Sequence, residues 1–474
     1  MRIIGASCAI LVLLGAAASL HAQSGCIAER VAGSEWQTFN AGTPIEVIVM
    51  TGGADVRCDG DRRILADQAT VIRAEQRIEL YGDVQVQDPE RTLTADQATF
   101  HSAQQLLQAV GNVVVRDRRT GSTISSQLLD YYQETEDRPI ARMEASSPTG
   151  AAHAVLFRAP ATAGEPQPAG QPADSTLIDA THITVIGEQT FHAVGRAVMT
   201  RDSVRTTGNS IEYTQAAEGI PGSLAVAVNA VVEMPAQQLR GDSINALIGE
   251  GDELREVLTR HRAVLSAEDM EVTAPAIRLF FEDGGVTRMV AMEWPPAAGA
   301  DPDPQARAET DSYRFEADSI DVLAPGQQIT AAVAIGNAYG ERLTPDSLLA
   351  LLPELPPREM ALISSDWMRG DTVRAAFAAN PAAAVDPEAQ ERIMERLSAV
   401  GAPAQSVYRM RDEDAPEAKL SISYVSAAHI DVTFSDGVVS LVSAAGDAKG
   451  TYLQPTQVAG AATDGDGDRP PEQQ

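Results

Sequence analysis

Lysine is nearly missing from this chain: Lys419 and Lys449 are the only two among 474 residues. Schiff-base and P-loop chemistry therefore have almost no material to work with. Aromatic residues are scarce too, at 4%. An outer-membrane barrel needs aromatic girdles at two interfaces, so this composition argues against one. Positive charge is in short supply, with 36 Lys+Arg against 66 Asp+Glu and a net charge of -30. Such a surface repels phosphate backbones and excludes nucleic acid as an expected partner. It also weakens any case for a peripheral anchor on anionic lipid. None of the seven histidines stands in a metal spacing such as His-Glu-x-x-His, and there is no Gly-x-Ser-x-Gly elbow and no Cys-x-x-Cys. No catalytic residue, metal site or cofactor is expected, and the chain reads as a non-enzyme.

What is present begins at the N-terminus. Arg2 is followed by an apolar run from Ile3 to Leu20 and then by Ala22-Gln23. Residues 1–22 read as a secretory signal peptide cleaved after Ala22, although Leu20 is larger than the usual small residue three places before a cut. An uncleaved anchor is the alternative, and the run is short and Ala/Gly-rich for a span. A lipoprotein site at Cys26 is weaker, because Gln23 replaces an apolar residue. No later segment reaches transmembrane length, so the exported chain is expected to be soluble. Cys8 lies within the signal, leaving Cys26 and Cys58. An even pair in an exported protein points to one disulfide, Cys26–Cys58, worth roughly 3 kcal/mol in the chain-entropy model; two unrelated thiols are the alternative.

The chain repeats itself. Ala66-Asp67-Gln68-Ala69-Thr70 recurs as Ala95-Asp96-Gln97-Ala98-Thr99, a shift of 29. At the same shift, Tyr81-Gly82-Asp83-Val84 becomes Val110-Gly111-Asn112-Val113. The first motif, a small residue, a polar one, then alternating apolar positions, starts again at Ser126, Ala180, Gly208, Gly241, Ala274, Ala317, Gly370 and Ala427. The second returns at Gly195-Arg196 and Gly336-Asn337. Val84 and Val86 alternate with Gln85 and Gln87, the period of a half-buried strand. The spacing predicts a unit of strand, turn, strand. The motif aspartate is expected to accept backbone N–H groups in the turn before the strand, and the glycine to allow a bulge or corner. One unit buries too little to stand alone, whereas stacked units share a core.

The interruptions suggest an organisation. Residues 24–157 form a first block, 158–174 a Pro/Ala/Gly-rich linker, 175–294 a second block, and 295–310 another linker. A third block covers 311–454 with a helical insert over about 345–400, read from Pro345–Leu352 and Pro387–Val400. Residues 455–474 read as a disordered polar tail.

The Ala-Asp-x-apolar start followed by Gly-Asp/Asn-Val resembles the LptA/OstA family of periplasmic lipopolysaccharide-transport proteins. It is similar also to LptC and to the N-terminal domain of LptD. The nearest stretch is residues 56–117, with weaker copies to about 450. The resemblance implies an all-β chain of twisted antiparallel β-jellyroll (β-roll) blocks whose apolar interior carries lipopolysaccharide acyl chains. It further implies periplasmic localisation, association with the outer membrane and its biogenesis, and edge-strand pairing with other β-jellyroll components of a transport bridge. The chain is longer than an LptA-like protein. It lacks a membrane helix of the LptC kind and the aromatic content for the LptD barrel. The resemblance therefore suggests the pathway without fixing the station.

Inward strand positions in the first block are Val71, Ile78, Leu80, Val84, Val86, Phe100, Val113 and Val115. Nothing in their pattern separates a lipid groove from ordinary core, so no lipid-binding residue is assigned. His182 and His192 flank a predicted hairpin and read as surface strand residues. Asp464-Gly465-Asp466-Gly467-Asp468 resembles the opening of a calcium loop but lacks its later Glu. A periplasmic β-repeat scaffold that pairs through strand edges without binding lipid is the rival reading.

Overall fold

The computed structural model describes residues 27–29, 31–58, 61–157, 175–187, 189–217, 219–249, 253–268, 270–296, 304–343, 365–384, 392–410, 421–435 and 438–453. The expected signal peptide, the first linker, Cys26, Pro345–Leu352, the Asp464–Asp468 run and the tail lie outside these residues. Among the described residues the secondary structure is β-strand with three short 3-10 turns and no α-helix. The chain divides into two compact units, Met1–Ala173 and Asp174–Gln474.

The first unit holds β1 (Ile27–Glu29), β2 (Glu35–Phe39), β3 (Val47–Cys58), β4 (Arg62–Ile72) and β5 (Arg77–Gln87). It continues with β6 (Arg91–His101), β7 (Leu106–Asp117), β8 (Thr123–Tyr132), β9 (Arg142–Ser146) and β10 (Ala152–Phe157). Strands β3 to β8 form an antiparallel meander, each paired with the next. On the outer edge of β3, β1 pairs with Asp55–Arg57 and β2 with Val47–Thr51. On the far edge of β8, β10 covers Thr123–Ser125 and β9 covers Leu128–Tyr132.

Every long strand of the meander bends in its middle. In β5 the pairing with β6 runs Tyr81↔Gln97 and then Val84↔Ala95, so Gly82 and Asp83 face Asp96 alone. Gly82 and Asp83 are both left-handed, with φ of 72° and 41°. Gly111 and Asn112 of β7 repeat this with φ of 78° and 44°. Two left-handed residues in one strand against one on its neighbour make a bulge that sharpens the bend. The bend leaves the inward set in phase: Ile78 and Leu80 before it and Val84 and Val86 after it are all buried. Each such side chain contributes about 1.5–3 kcal/mol by leaving water.

These bends correct the expected strand–turn–strand unit. The motif does not lie in a turn before a strand: Ala66-Asp67 falls inside β4, Ala95-Asp96 inside β6, and Gly82-Asp83 interrupts one continuous β5. The repeat of 29 is a hairpin of two bent strands.

The second unit opens with β11 (Ser175–Ala180), β12 (His182–Ile186), β13 (Thr190–Arg201), β14 (Val204–Thr214), β15 (Gly222–Met234) and β16 (Gln237–Ile248). Then come β17 (Leu254–Ala267), β18 (Met270–Glu282), β19 (Gly285–Met292), β20 (Ala306–Thr310), β21 (Tyr313–Ala317) and β22 (Ser319–Leu323). It closes with β23 (Ala331–Arg342), β24 (Asp366–Ala379), β25 (Arg392–Met410), β26 (Ser421–Ser435), β27 (Val438–Ala445) and β28 (Lys449–Leu453). Pairing is antiparallel throughout, with the same mid-strand bends at Gly195-Arg196, Val228-Asn229, His261-Arg262 and Gly336-Asn337. Pro275 sits inside β18 opposite the His261-Arg262 bulge, where the ladder asks no N–H of it. Between β18 and β23 the bent strands are cut in two, and the pairings β18–β19–β22–β23–β21–β20–β18 close a circuit of six strands.

Two further expectations are corrected here. The linker expected over 295–310 is not a boundary between blocks: Ala306–Thr310 is strand β20, paired on both sides, and β19 and β20 both lie on β18. The described part of the expected helical insert is strand apart from the short 3-10 turn Pro381–Ala384, and it holds no α-helix. Asp366–Ala379 is β24, and Arg392–Val400 lies in β25 with Met394, Leu397 and Ala399 buried. Pairing with neighbours on both sides overrides its local helical signal.

Candidate functional site

The two halves of each bent strand in the first unit face each other across an interior. Arg62 at the start of β4 lies over the ring of Phe100 near the end of β6, 5.4 Å from its centroid. Arg91 at the start of β6 donates from Nη1 to the hydroxyl of Tyr131, at the end of β8, over 2.6 Å. The same cross-interior bond recurs in the second unit, where Arg201 Nη1 donates to Tyr213 Oη at 3.2 Å.

At one end of the first interior is a small cleft of ≈ 10 Å³, room for about one water molecule. Val86, Leu93 and Val115 line one side and Leu107 the other; Asp88, Arg91, Tyr131 and Gln133 supply polar atoms. The apolar lining follows from strand alternation, since these side chains are the inward positions on β5, β6 and β7. The polar rim follows from hairpin chemistry. Asp88 Oδ1 accepts from the backbone N–H of Glu90 and Arg91, and Asp117 Oδ1 accepts from Arg119 and Thr120, so each carboxylate closes a turn. Asp117 Oδ2 stands 3.8 Å from Arg91 Nε.

Electrostatically the cleft sets Arg91 beside Asp88 and Asp117, and Arg62 lies near Asp88. Desolvation pulls the pKa of Arg62 below the ordinary arginine value, against the attraction of Asp88 and Tyr131. Desolvation opposes the charge on Arg91 too, but Tyr131 and Asp117 outweigh it and the pKa ends above the ordinary value. Burial pushes the Tyr131 phenol up, so it stays a neutral partner across the working pH range. Arg62 Nε and Gln133 Oε1 are buried without a hydrogen-bond partner.

Of the eight inward positions named from sequence, Ile78, Leu80, Val84, Val86, Phe100, Val113 and Val115 are buried, and Val71 is half-buried. Val86 and Val115 reach the cleft; Phe100 lies under Arg62 outside its lining. Sequence reasoning missed Arg62, Arg91, Tyr131 and Gln133. An arginine at a strand end opposite apolar alternation was the one available signal, and it looks like any solvated terminus. His182 and His192 lie on the β12–β13 hairpin but bond apart, His182 to Thr184 at 3.2 Å and His192 to Ser210 at 3.0 Å. Cys58 is disulfide-bonded, and the β1–β3 register runs Ile27↔Arg57 at that edge. Among the described residues no group of three or more His, Cys, Asp or Glu is placed to hold a metal ion. No helix of the described residues is long and apolar enough to cross a membrane.

No protein-family model matches this chain, and no curated protein matches it.

Proposed function

We propose that the chain is a non-enzymatic periplasmic protein of the lipopolysaccharide-transport and outer-membrane-assembly type, carrying acyl chains inside its bent-strand sheets. On this reading the sheets are OstA-like β-rolls, the N-terminal segment is a cleaved signal peptide, and Cys26 is the partner of Cys58. The observation that carries the proposal is the continuous inward apolar face, Ile78–Leu80–Val84–Val86 on β5 and Leu107–Ala109–Val113–Val115 on β7, ending in a cleft with an open mouth. Transport would draw its energy elsewhere, and binding would rest on apolar burial at about 25 cal/mol per Å². Lipopolysaccharide or a similar lipid is the proposed cargo.

In vivo photo-crosslinking tests this. A photoreactive residue at Val86 or Val115 is expected to form lipopolysaccharide adducts, and one at exposed Val114 is not. Equal labelling at all three positions, or none at any, removes the proposal.

One observation favours a second reading, a scaffold that pairs through its edges. β27 and β28 pair only with β26 among the described strands, and Leu441, Tyr452 and Leu453 are exposed there. An edge so furnished suits another β-roll component of a transport bridge.

A further inference from the structure

We propose that the first unit admits an acyl chain sideways, by parting the two arms of its bent strands along their open side, and that Arg62–Phe100 and Arg91–Tyr131 form the clasp that holds this side shut. The inference rests on the acyl-carrier reading and adds to it the route of entry and the residues that control it.

The first observation is lack of room. Inward Leu80, Phe100, Leu107 and Leu129 are buried, and the cleft beside Arg91 and Tyr131 holds about one water molecule. A chain of many methylenes enters such an interior only when its walls move apart.

The second is where the walls are joined. On the corner side, β3 to β8 run through their bends with the ladder paired on both arms. On the open side, one lip carries the turns after β3, β5 and β7, and the other carries those after β4, β6 and β8. Backbone bonds between turns stay within a lip, as from Arg118 N–H to the Glu90 carbonyl and from Ser102 N–H to the Gln76 carbonyl. Among the described residues no backbone hydrogen bond joins one lip to the other. Side chains cross instead: Arg62 lies 5.4 Å from the Phe100 ring centroid, and Arg91 Nη1 donates to Tyr131 Oη at 2.6 Å. Parting the lips therefore breaks side-chain contacts and leaves every ladder intact.

The third is a hinge. Gly82-Asp83 and Gly111-Asn112 stand outside the ladder at the corner, so the arms can turn about them with little loss of pairing. Opening also strands no charge. Arg91 keeps Asp117 on its own lip at 3.8 Å, Asp88 of that lip attracts Arg62, and the Tyr131 hydroxyl turns to water. The apolar surface bared by opening is what an acyl chain then covers.

The second unit bridges its own open side at the same place with other side chains. Arg201 donates to Tyr213 across the arms, and Tyr313 meets Phe377 edge-on with centroids 6.3 Å apart. Tyr313 lies on the arm that pairs with Arg342, and Phe377 on the arm that pairs with Met394.

Two measurements on the full chain test the clasp. The first needs no ligand. Val115→Cys puts a thiol in the buried interior, where a small thiol reagent reaches it only through parted lips. Adding Tyr131→Phe and Arg62→Met, which keep the ring and the stem, is expected to speed labelling about fivefold, the worth of one lost hydrogen bond. The acceleration should depend on urea far less than global unfolding does. The second follows the fluorescence of cis-parinarate as it enters an apolar site. A short bis-maleimide joining Arg91→Cys to Tyr131→Cys is expected to slow uptake about tenfold or more. The same linker between Val110→Cys and Leu128→Cys, which face each other on the outer surface, should leave uptake as in the parent. Should the clasp variant melt early, the two staples decide. Uptake equal in both stapled proteins, or labelling indifferent to the clasp, overturns the inference and leaves the carrier reading standing, with chains entering end-on. Labelling that follows the clasp without any parinarate uptake removes the carrier reading and leaves the opening of the lips intact.

Discussion

Two bends of this molecule solve one steric problem in opposite ways. In β7 the first left-handed residue is Gly111, and Asp96 of β6 stands directly behind it: a Cβ on Gly111 would lie 2.3 Å from Asp96 Oδ2. Asn112 then donates to both oxygens of Asp96 at 3.0 and 3.2 Å. In β15 the first left-handed residue is Val228, with φ of 63°, and the small position on β14 is Gly208 instead of alanine. A Cβ on Gly208 would meet Val226 Cγ1 at 2.6 Å. β17 follows β15: His261 and Arg262 are left-handed, and Gly241 of β16 would collide with Thr259 Cγ2 at 2.4 Å. So a bend needs one missing side chain, and either strand can omit it. The two solutions are not equal in strain, because a β-branched residue at positive φ is a true outlier while glycine is at ease there.

The largest effect is expected from putting the second solution's residue into the first solution's bend. Gly111→Val meets both the left-handed penalty, about 1–3 kcal/mol, and Asp96; a loss of about 3 kcal/mol in urea unfolding is expected. Paired with Ala95→Gly, which copies the β14 arrangement, the loss should be smaller than the sum of the two single changes. Strict additivity would show that the two kinds of bend are unrelated. Gly241→Ala should cost about 2 kcal/mol, an overpacking without a φ penalty, and a neutral result would mean that Thr259 simply moves aside. Val228→Gly should stabilise by about 1 kcal/mol, the strain relieved less the entropy of glycine. Asn112→Ala should lose about 0.5–1.5 kcal/mol with its bonds to Asp96, and no loss would make that pair ornamental to the bend.

How far the sequence reveals this follows from the same bends. The 29-residue shift, the alternation of Val84 and Val86, and the glycines of the doublets were all legible, and every motif start fell at a bend or at a cut in a strand. What stayed hidden was that the ladder continues through the motif. Asp67 and Gly82 carry the local signature of a turn, and a bulge inside a strand uses the same residues; only the register with neighbours separates the two. The Val228-Asn229 and His261-Arg262 doublets had no glycine to betray them. The cleft was legible in its apolar half alone. Arg91 and Tyr131 stand 40 residues apart and meet because each strand folds over on itself, which no local pattern encodes. The stretch Pro387–Val400 carries proline and glutamate at its start, the local signature of a helix, and the pairing of its described part, Arg392–Val400, with β24 and β26 decides otherwise.

The smallest effect tests the place where the bends are cut. Between β18 and β23 no continuous strand carries the ladder through the corner, and cross-strand ion pairs reinforce the short ladders that remain. Arg288 holds Asp321 between β19 and β22 at 2.6 Å, and Arg314 joins Glu309 of β20 to Glu341 of β23 at 3.0 and 3.2 Å. Hydrogen bonds from Arg314 and Arg307 hold the Glu309 carboxyl at about 2, against an ordinary value of 4.5. A folded-state pKa depressed in this way contributes stability that is fully present above 4.5 and disappears as the pH falls towards 2. The pair is partly exposed, so solvent and salt discount it heavily. Glu309→Gln should therefore lower the urea midpoint slightly at neutral pH, and the gap to the parent protein should close between pH 4.5 and 2 and narrow in high salt. A gap constant across that window would mean that glutamate is needed there for its shape. The cut section would then be held, like the intact bends, by packing instead of charge.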